Sequence, residues 1–517
     1  MPAIRRKLAV ATAVAASAAL VLTTGSAAVA ESKTDDKLAK DLVGAVSAEK
    51  VNKHLIAFQR FADQTGGNRA ASTDGHAKSA EYIATKLEGA GYDVTRQEFP
   101  FVYDETTAES LTSGGQDYDV IRMSYSPSTP AGGITAPLAA VPVDETPGCE
   151  ASDYDGVDVA GKIALISRGA CTFADKQKFA GEAGAVAALI YNHIDGPVNG
   201  TLGDPDVGII PSGGMTNEDG QALVARAGED ATVEITGITE DRTTYNVIAE
   251  TKRGARDNVV MAGAHLDSVA AGPGINDNGT GSGALLETAL ALGGKPKANN
   301  AVRFAWWSAE ELGLLGSEYY VENLSADEQL DIAMYLNFDM IGSPNAGYFV
   351  YDGDDSDGIG AGPGPEGSGA IESELADFIE GNGTETEGTD FTGRSDYGPF
   401  IAVGIPSGGL FTGAEVSKTE AQAAKWGGEA GVAYDACYHQ ECDTLSNVDH
   451  VSLDVNGDAM AWAIGIYAMS TESVNGVQPG HKKPKKQVAE QRSAEKVHDT
   501  HSHRNQHGHN HDHDLPK

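Results

Sequence analysis

Between Tyr245 and about Ser470 the chain alternates short, wholly apolar runs with helical stretches, and this alternation most constrains its fold. Val259-Val260-Met261-Ala262-Gly263 is apolar at every position, as expected of a strand covered on both faces. Val302 to Trp307, Met334 to Phe338, Tyr348 to Tyr351 and Pro406 to Phe411 read as further strands. Gly281 to Leu292 and Glu311 to Asn323 carry helical periodicity. The pattern predicts an α/β fold with a mixed, largely parallel sheet flanked by helices. In such sheets ligands gather beyond the carboxyl ends of the strands.

Those ends carry metal-type ligands. His265 follows the run at Val259, Glu310 and Glu311 follow Trp306-Trp307, and Asp339 follows Phe338. Asp277 lies in Asn276-Asp277-Asn278-Gly279, and His439 lies in Cys437-Tyr438-His439. Any one of these residues alone is more often a hydrogen-bonded core or surface group, and Glu310-Glu311 alone could answer a helix dipole. Together they suit zinc, and two His with three acids, counting one of the adjacent pair Glu310-Glu311, exceed what one tetrahedral ion needs. A two-metal hydrolase is the expectation. A bridging carboxylate would hold the two ions at a spacing where they share one water. Of two adjacent acids whose side chains point apart, one is free for proton transfer. Asp267, two residues beyond His265, is placed to accept the second imidazole N–H. Trp306 and Trp307 read as core aromatics.

Upstream, Ser47 to Gln64 and His76 to Gly89 read as helices and Asp93 to Phe99 as a strand. From about Phe101 the texture changes to Gly, Pro, Asp and Thr with short strands, including Ile163 to Ile166 and Val186 to Tyr191 around a helix from Phe173 to Ala183. Residues 101–244 are therefore expected to be a second domain inserted into the first, which would comprise 45–100 and 245–470.

The ends of the chain differ in kind from the middle. Arg5-Arg6-Lys7, an apolar run from Leu8 to Leu22 and Ala28-Val29-Ala30 predict a secretory signal over 1–30, with 31–44 a propeptide or linker. Residues 471–517 hold a basic run at Lys482-Lys483-Pro484-Lys485-Lys486 and then His498, His501, His503, His507, His509, His511 and His513, with too few apolar residues for a core. They are expected to be a disordered extension. A formal charge of −38 argues against nucleic acid or an anionic membrane as partner. The four cysteines of an exported chain should pair, and of three connectivities sequence proximity favours Cys149 with Cys171 and Cys437 with Cys442.

The motifs then carry a resemblance. Gly263-Ala264-His265-Leu266-Asp267-Ser268, Gly274-Ile275-Asn276-Asp277-Asn278-Gly279, Ala305-Trp306-Trp307-Ser308-Ala309-Glu310-Glu311, Leu336-Asn337-Phe338-Asp339-Met340 and Cys437-Tyr438-His439 resemble the secreted Streptomyces-type dizinc aminopeptidases. The resemblance implies a zinc-exopeptidase fold and a monomeric enzyme removing N-terminal residues from peptides and proteins. It implies that His265 and Asp339 take one zinc, Glu311 and His439 the other, with Asp277 bridging, Glu310 as general base and Tyr438 facing the oxyanion. It also implies a cis peptide at Asp277–Asn278. Met340, Arg394 and Phe411 would shape an apolar substrate pocket, although Arg394 could instead pair with Asp396 at the surface. Asp454 and Asp458 look like ligands of that family's calcium site, whose remaining acid is replaced here at Ala45-Val46. Within the insertion, about 136–227, Gly161-Lys162-Ile163-Ala164-Leu165-Ile166 and Phe173-Ala174-Asp175-Lys176 resemble a mainly-β protease-associated domain, implied to act as a lid or wall. A carboxypeptidase, dipeptidase or glutaminyl cyclase on the same scaffold is the enzymatic alternative. A non-catalytic ectodomain, which would lack ligands or base, is the alternative from another class.

Overall fold

The strands around the predicted ligands form one sheet, seen in a computed structural model that describes residues 36–360 and 362–482. The predicted secretory signal, Lys483 to Lys486 and the histidine cluster lie outside the described residues. Ala255–His265 is central, with Asn300–Trp307 parallel on one side and Ile332–Phe338 parallel on the other. Ser407–Phe411 continues the sheet in parallel, followed by antiparallel Phe349–Tyr351 and then Glu387–Thr389. From Val259 to Ala264 every residue is buried, because helices cover both faces. Trp306 and Trp307 are fully buried on opposite faces, in separate apolar clusters. Gly263 has to be glycine: a Cβ there would lie 2.3 Å from the Tyr335 hydroxyl and 2.7 Å from Trp307 Nε1.

The insertion is less separate than its composition implies. The strand expected to stop near Phe99 runs from Asp93 to Ser113 and pairs antiparallel along its length with Asp230–Glu250. These two strands form a stem. At its base Asp230–Glu250 also pairs with Asn300–Trp307, and at its far end with Ile134–Ala140. The central sheet therefore continues by hydrogen bonds into a second set of strands, Ile163–Ser167, Ala187–Tyr191 and Ser212–Met215, with its own cores on each face.

Two expected boundaries move. Within 31–44, Lys37–Val43 is a helix that packs on the helix His450–Met469, burying Ala39 and Leu42. The apolar stripe of one turn and a half is too short to read as a helix from sequence; tertiary burial makes it one. The chain also stays ordered past Ser470. Thr471 is buried and accepts from Asn258 Nδ2 at 2.8 Å, Asn475 donates back to Asn258 at 2.9 Å, and Val474 and Val477 are buried. Both cysteine pairs form, Cys149–Cys171 and Cys437–Cys442. No helix among the described residues is long and apolar enough to cross a membrane.

Removing everything after Ser470 should destabilise the fold, because two buried valines and the Asn258 contacts are lost, roughly 3 kcal/mol at the usual value per buried side chain. A chain ending at Gly480 should keep the denaturant midpoint of the full chain. Chemical unfolding of the two truncations checks this.

Candidate active site

Three strand ends and two loops bring the predicted ligands together. His265 closes its strand, Asp339 follows Phe338, and Glu310 and Glu311 sit in the turn after Trp307. The decisive residue is Asp277. Its Oδ1 lies 3.2 Å from His265 Nε2 and its Oδ2 lies 3.2 Å from His439 Nε2. On the first side Asp339 Oδ1 is 3.2 Å and Glu310 Oε2 3.9 Å from His265 Nε2. On the second, Glu311 Oε2 is 2.9 Å from His439 Nε2. The adjacent acids thus turn toward opposite halves of the site. The Asp277–Asn278 peptide is cis.

Buried charge explains the electrostatics. Burial opposes a charge on His265, but Asp339, Glu310 and Asp277 carry its pKa well above the usual range. Burial likewise opposes His439, whose pKa Glu311 and Asp277 raise to about 11. Burial first, and the neighbouring acids next, hold Glu310 well above the ordinary carboxylic range and raise Glu311. Glu311 Oε1 is buried without a hydrogen-bond partner. No Lys or Arg among the described residues forms an ion pair with these acids. A donor set of two imidazoles and carboxylates with an orphaned oxygen and this much unneutralised charge fits divalent zinc.

The supporting residues were mostly invisible in the sequence. Buried groups form a chain that ends on Asp339: Trp307 Nε1 donates to the Tyr335 hydroxyl at 2.8 Å, and Tyr335 donates to Asn337 Oδ1 at 3.2 Å. Asn337 Nδ2 then donates to Ser395 Oγ at 2.8 Å, and Ser395 to Asp339 Oδ2 at 2.6 Å. The loop closed by Cys437–Cys442, which carries Tyr438 and His439, is docked beside Asp277 by the acids flanking it. Asp443 accepts from the Asn276 N–H at 2.8 Å and the Asp277 N–H at 3.0 Å. Asp435 accepts from Asn276 Nδ2 at 2.7 Å. Arg69, fully buried, donates to the carbonyls of Leu266, Pro273 and Gly274 and so fixes the loop between His265 and Asp277. Of these, Trp307, Asn337 and Asn276 lie in the motifs quoted above, whereas Tyr335, Ser395, Asp435, Asp443 and Arg69 do not.

The expected partner of Asp267 changes, and the surface alternative for Arg394 falls away. His265 Nδ1 is 3.2 Å from the backbone carbonyl of Asp267 and 3.9 Å from its carboxylate. The nearer oxygen takes the N–H, and the Asp267 side chain instead accepts from the Glu310 N–H at 3.2 Å. Arg394 does not pair with Asp396; it donates to Glu415 at 3.0 Å and to the Tyr438 hydroxyl at 3.3 Å, while Asp396 is buried. Asp454 accepts from the Ala48 N–H at 2.7 Å, capping the helix Ala48–Gln64, and neither Asp454 nor Asp458 joins a three-residue ligand group among the described residues. A third such group, Asp352, Asp354 and Glu372, has oxygens already accepting from the N–H groups of Gly353, Ser356 and Asp357. Met340 is buried beside the site, its N–H donating to Asn278 Oδ1 at 3.3 Å, and Phe411 ends its strand 6.2 Å from the Phe349 ring.

Residues 246–464 match the family model for peptidase family M28, and residues 134–223 match the PA domain. A probable lipoprotein aminopeptidase, LpqL, of Mycobacterium tuberculosis is 46% identical, covering 84% of this chain and 87% of its own. The chain belongs to peptidase family M28. Leucine aminopeptidase 2 of Trichophyton tonsurans is 45% identical over 83% of this chain and 86% of its own. Among solved structures, an aminopeptidase from Aneurinibacillus sp. strain AM-1 superposes with a TM-score of 0.65 at 28% identity, covering 86% of this chain and 98% of its own. A zinc aminopeptidase from Bacillus subtilis superposes with a TM-score of 0.56 at 30% identity, covering 81% and 94%. With relatives over nearly its whole length, this M28 chain is an aminopeptidase with an inserted PA domain.

Ser395→Ala should leave the fold intact and weaken metal binding about 10–100-fold, the usual effect of removing a partner that orients a ligand. Competition with a chromogenic chelator measures it.

Proposed function

We propose that the chain is a secreted dizinc aminopeptidase, active as a monomer, that releases large hydrophobic N-terminal residues from peptides and proteins. The observation that carries this reading is the division of Asp277, one oxygen toward His265 and the other toward His439. His265 and Asp339 would hold one zinc, Glu311 and His439 the second, and Asp277 both. Bound there, zinc supplies acidification of a shared water and polarisation of the scissile carbonyl. Glu310, leaning to the Asp339 side with an oxygen 3.9 Å from His265, takes the proton of the attacking water and passes it to the leaving amine. Tyr438 remains a phenol, since burial and the neighbouring acids raise it well above its ordinary range. With Arg394 at its hydroxyl, it donates to the developing oxyanion. The carboxylates at the site's mouth read the free α-amine, which makes the enzyme an exopeptidase. Met340 and Phe411 offer apolar surface to the first side chain. The two disulfides accord with export.

Turnover of leucyl, prolyl and N-blocked chromogenic amides, with and without chelator, tests the reading. Chelator-sensitive cleavage of the leucyl amide is expected, with none of the blocked one. Cleavage of the blocked substrate overturns it. Glu310→Gln should retain about two zinc ions per chain while losing 10²–10⁴-fold in kcat or more. Glu311→Ala should lose metal. Equal metal loss in both variants, read by metal analysis of the purified proteins, refutes the division of roles.

A further inference from the structure

The turn that carries Glu310 and Glu311 closes on itself, with the Gly313 and Leu314 N–H groups donating to the Glu310 carbonyl, yet it contains two residues in a costly conformation. Ala309, immediately before the acids, has φ +59°, and Leu314, shortly after, has φ +61°. Both are left-handed conformations that cost a side-chain-bearing residue energy and persist only where the surroundings impose them. Contacts that impose them come from the base of the stem, where Asp230–Glu250 joins the central sheet. Asn246, fully buried on the stem strand Asp230–Glu250, accepts from the Ser308 N–H at 3.1 Å and donates to the Gly316 carbonyl at 2.8 Å. One amide therefore ties both ends of the turn together. Its remaining N–H is satisfied by Gln97 Oε1, on the other stem strand, at 3.0 Å. Two residues earlier, the Thr244 hydroxyl is 2.7 Å from that of Ser308. The same stem lays Phe99, Phe101 and Tyr103 against Ala309, Leu312, Leu315 and Tyr319. Gly316 leaves no slack, since a Cβ there would lie 2.3 Å from the Ser308 carbonyl oxygen and 2.4 Å from Asn246 Oδ1.

We infer that Asn246 is a positioning residue for Glu310 and Glu311, so that the base of the stem that carries the inserted domain is part of the active-site scaffold. The inference rests on the roles proposed above for those two acids. Asn246 touches neither substrate nor metal. It acts through the distance between the turn's ends, and a displacement near 1 Å at a reacting group costs on the order of 100-fold in rate.

Asn246→Asp keeps size and the acceptor for Ser308 but sets a carboxylate against the Gly316 carbonyl; Gly316→Ala pries the same clamp from the opposite side. In the full chain, both should lower kcat per folded, zinc-loaded enzyme roughly 10–100-fold, with KM for a leucyl amide changed less than about threefold. Gln97→Ala, which spares both ties to the turn, should turn over as the parent does. A purely structural role would lower the unfolding midpoint while leaving kcat per folded enzyme unchanged, and that result in Asn246→Asp overturns the inference. If Asn246→Asp does not fold, Gly316→Ala decides on the same readout. Glu310→Gln is assayed beside them. Full activity there refutes the base assignment, whereas parental kcat in the clamp variants refutes the clamp, so the two failures are separable.

Discussion

The mutual repulsion of buried acids is the constraint from which much of this structure follows. Asp277, Glu310, Glu311 and Asp339 are gathered largely out of water, and among the described residues two imidazoles answer them directly. Left to itself such a cluster would push apart or take up protons. The structure instead spends secondary structure on holding it. Strand ends fix His265 and Asp339, the stem fixes the turn of Glu310 and Glu311, and a disulfide loop fixes His439.

Each of these side chains is supported from a different part of the chain. Asp339 is oriented through Ser395 by a hydrogen-bonded series beginning at Trp307, two strands away across Ala255–His265. Asp277 is gripped at its backbone by Asp443, which adjoins Cys442, so the loop bearing His439 and the segment bearing Asp277 are one unit. Arg69 reaches in from the loop before the helix Asp74–Gly89 and closes the turn after His265 with three carbonyls. Burial draws its pKa down to about 10, and Asp267, Asp443 and Asp277 act in the other direction. This cation sits under the acids without pairing with one, lowering the electrostatic cost of the cluster.

The insertion changes meaning in this light. Its composition marks it as a separate module, and it does carry separate cores. Yet its two long strands are shared with the catalytic sheet, and their roots contact the turn beside Glu310. A domain inserted through paired strands transmits rigidity in a way a flexible linker does not.

The sequence by itself determined the α/β class and the positions of the central strands. A strand covered on both faces has to be apolar throughout, and Val259 to Gly263 shows it directly. It also placed His265, Glu310 and Asp339 at strand ends, because the apolar runs stop there. Local pattern carried no information on what lies across the fold. The helix at Lys37 exists because it buries Ala39 and Leu42, and the chain beyond Ser470 is ordered because Thr471 and Asn475 meet Asn258. The sequence spaced Arg394 beside Asp396, but the fold turned one outward to Glu415 and buried the other. Asp454, read from its resemblance alone, also accepts from the Ala48 N–H at the start of a helix far away in the chain. Which oxygen of Asp277 faces which histidine, and that Asn246 ties the ends of a turn far along the chain, depend on contacts between segments distant in sequence. Only the tertiary structure sets such contacts, because hydrophobic periodicity specifies which face is buried and not what it meets.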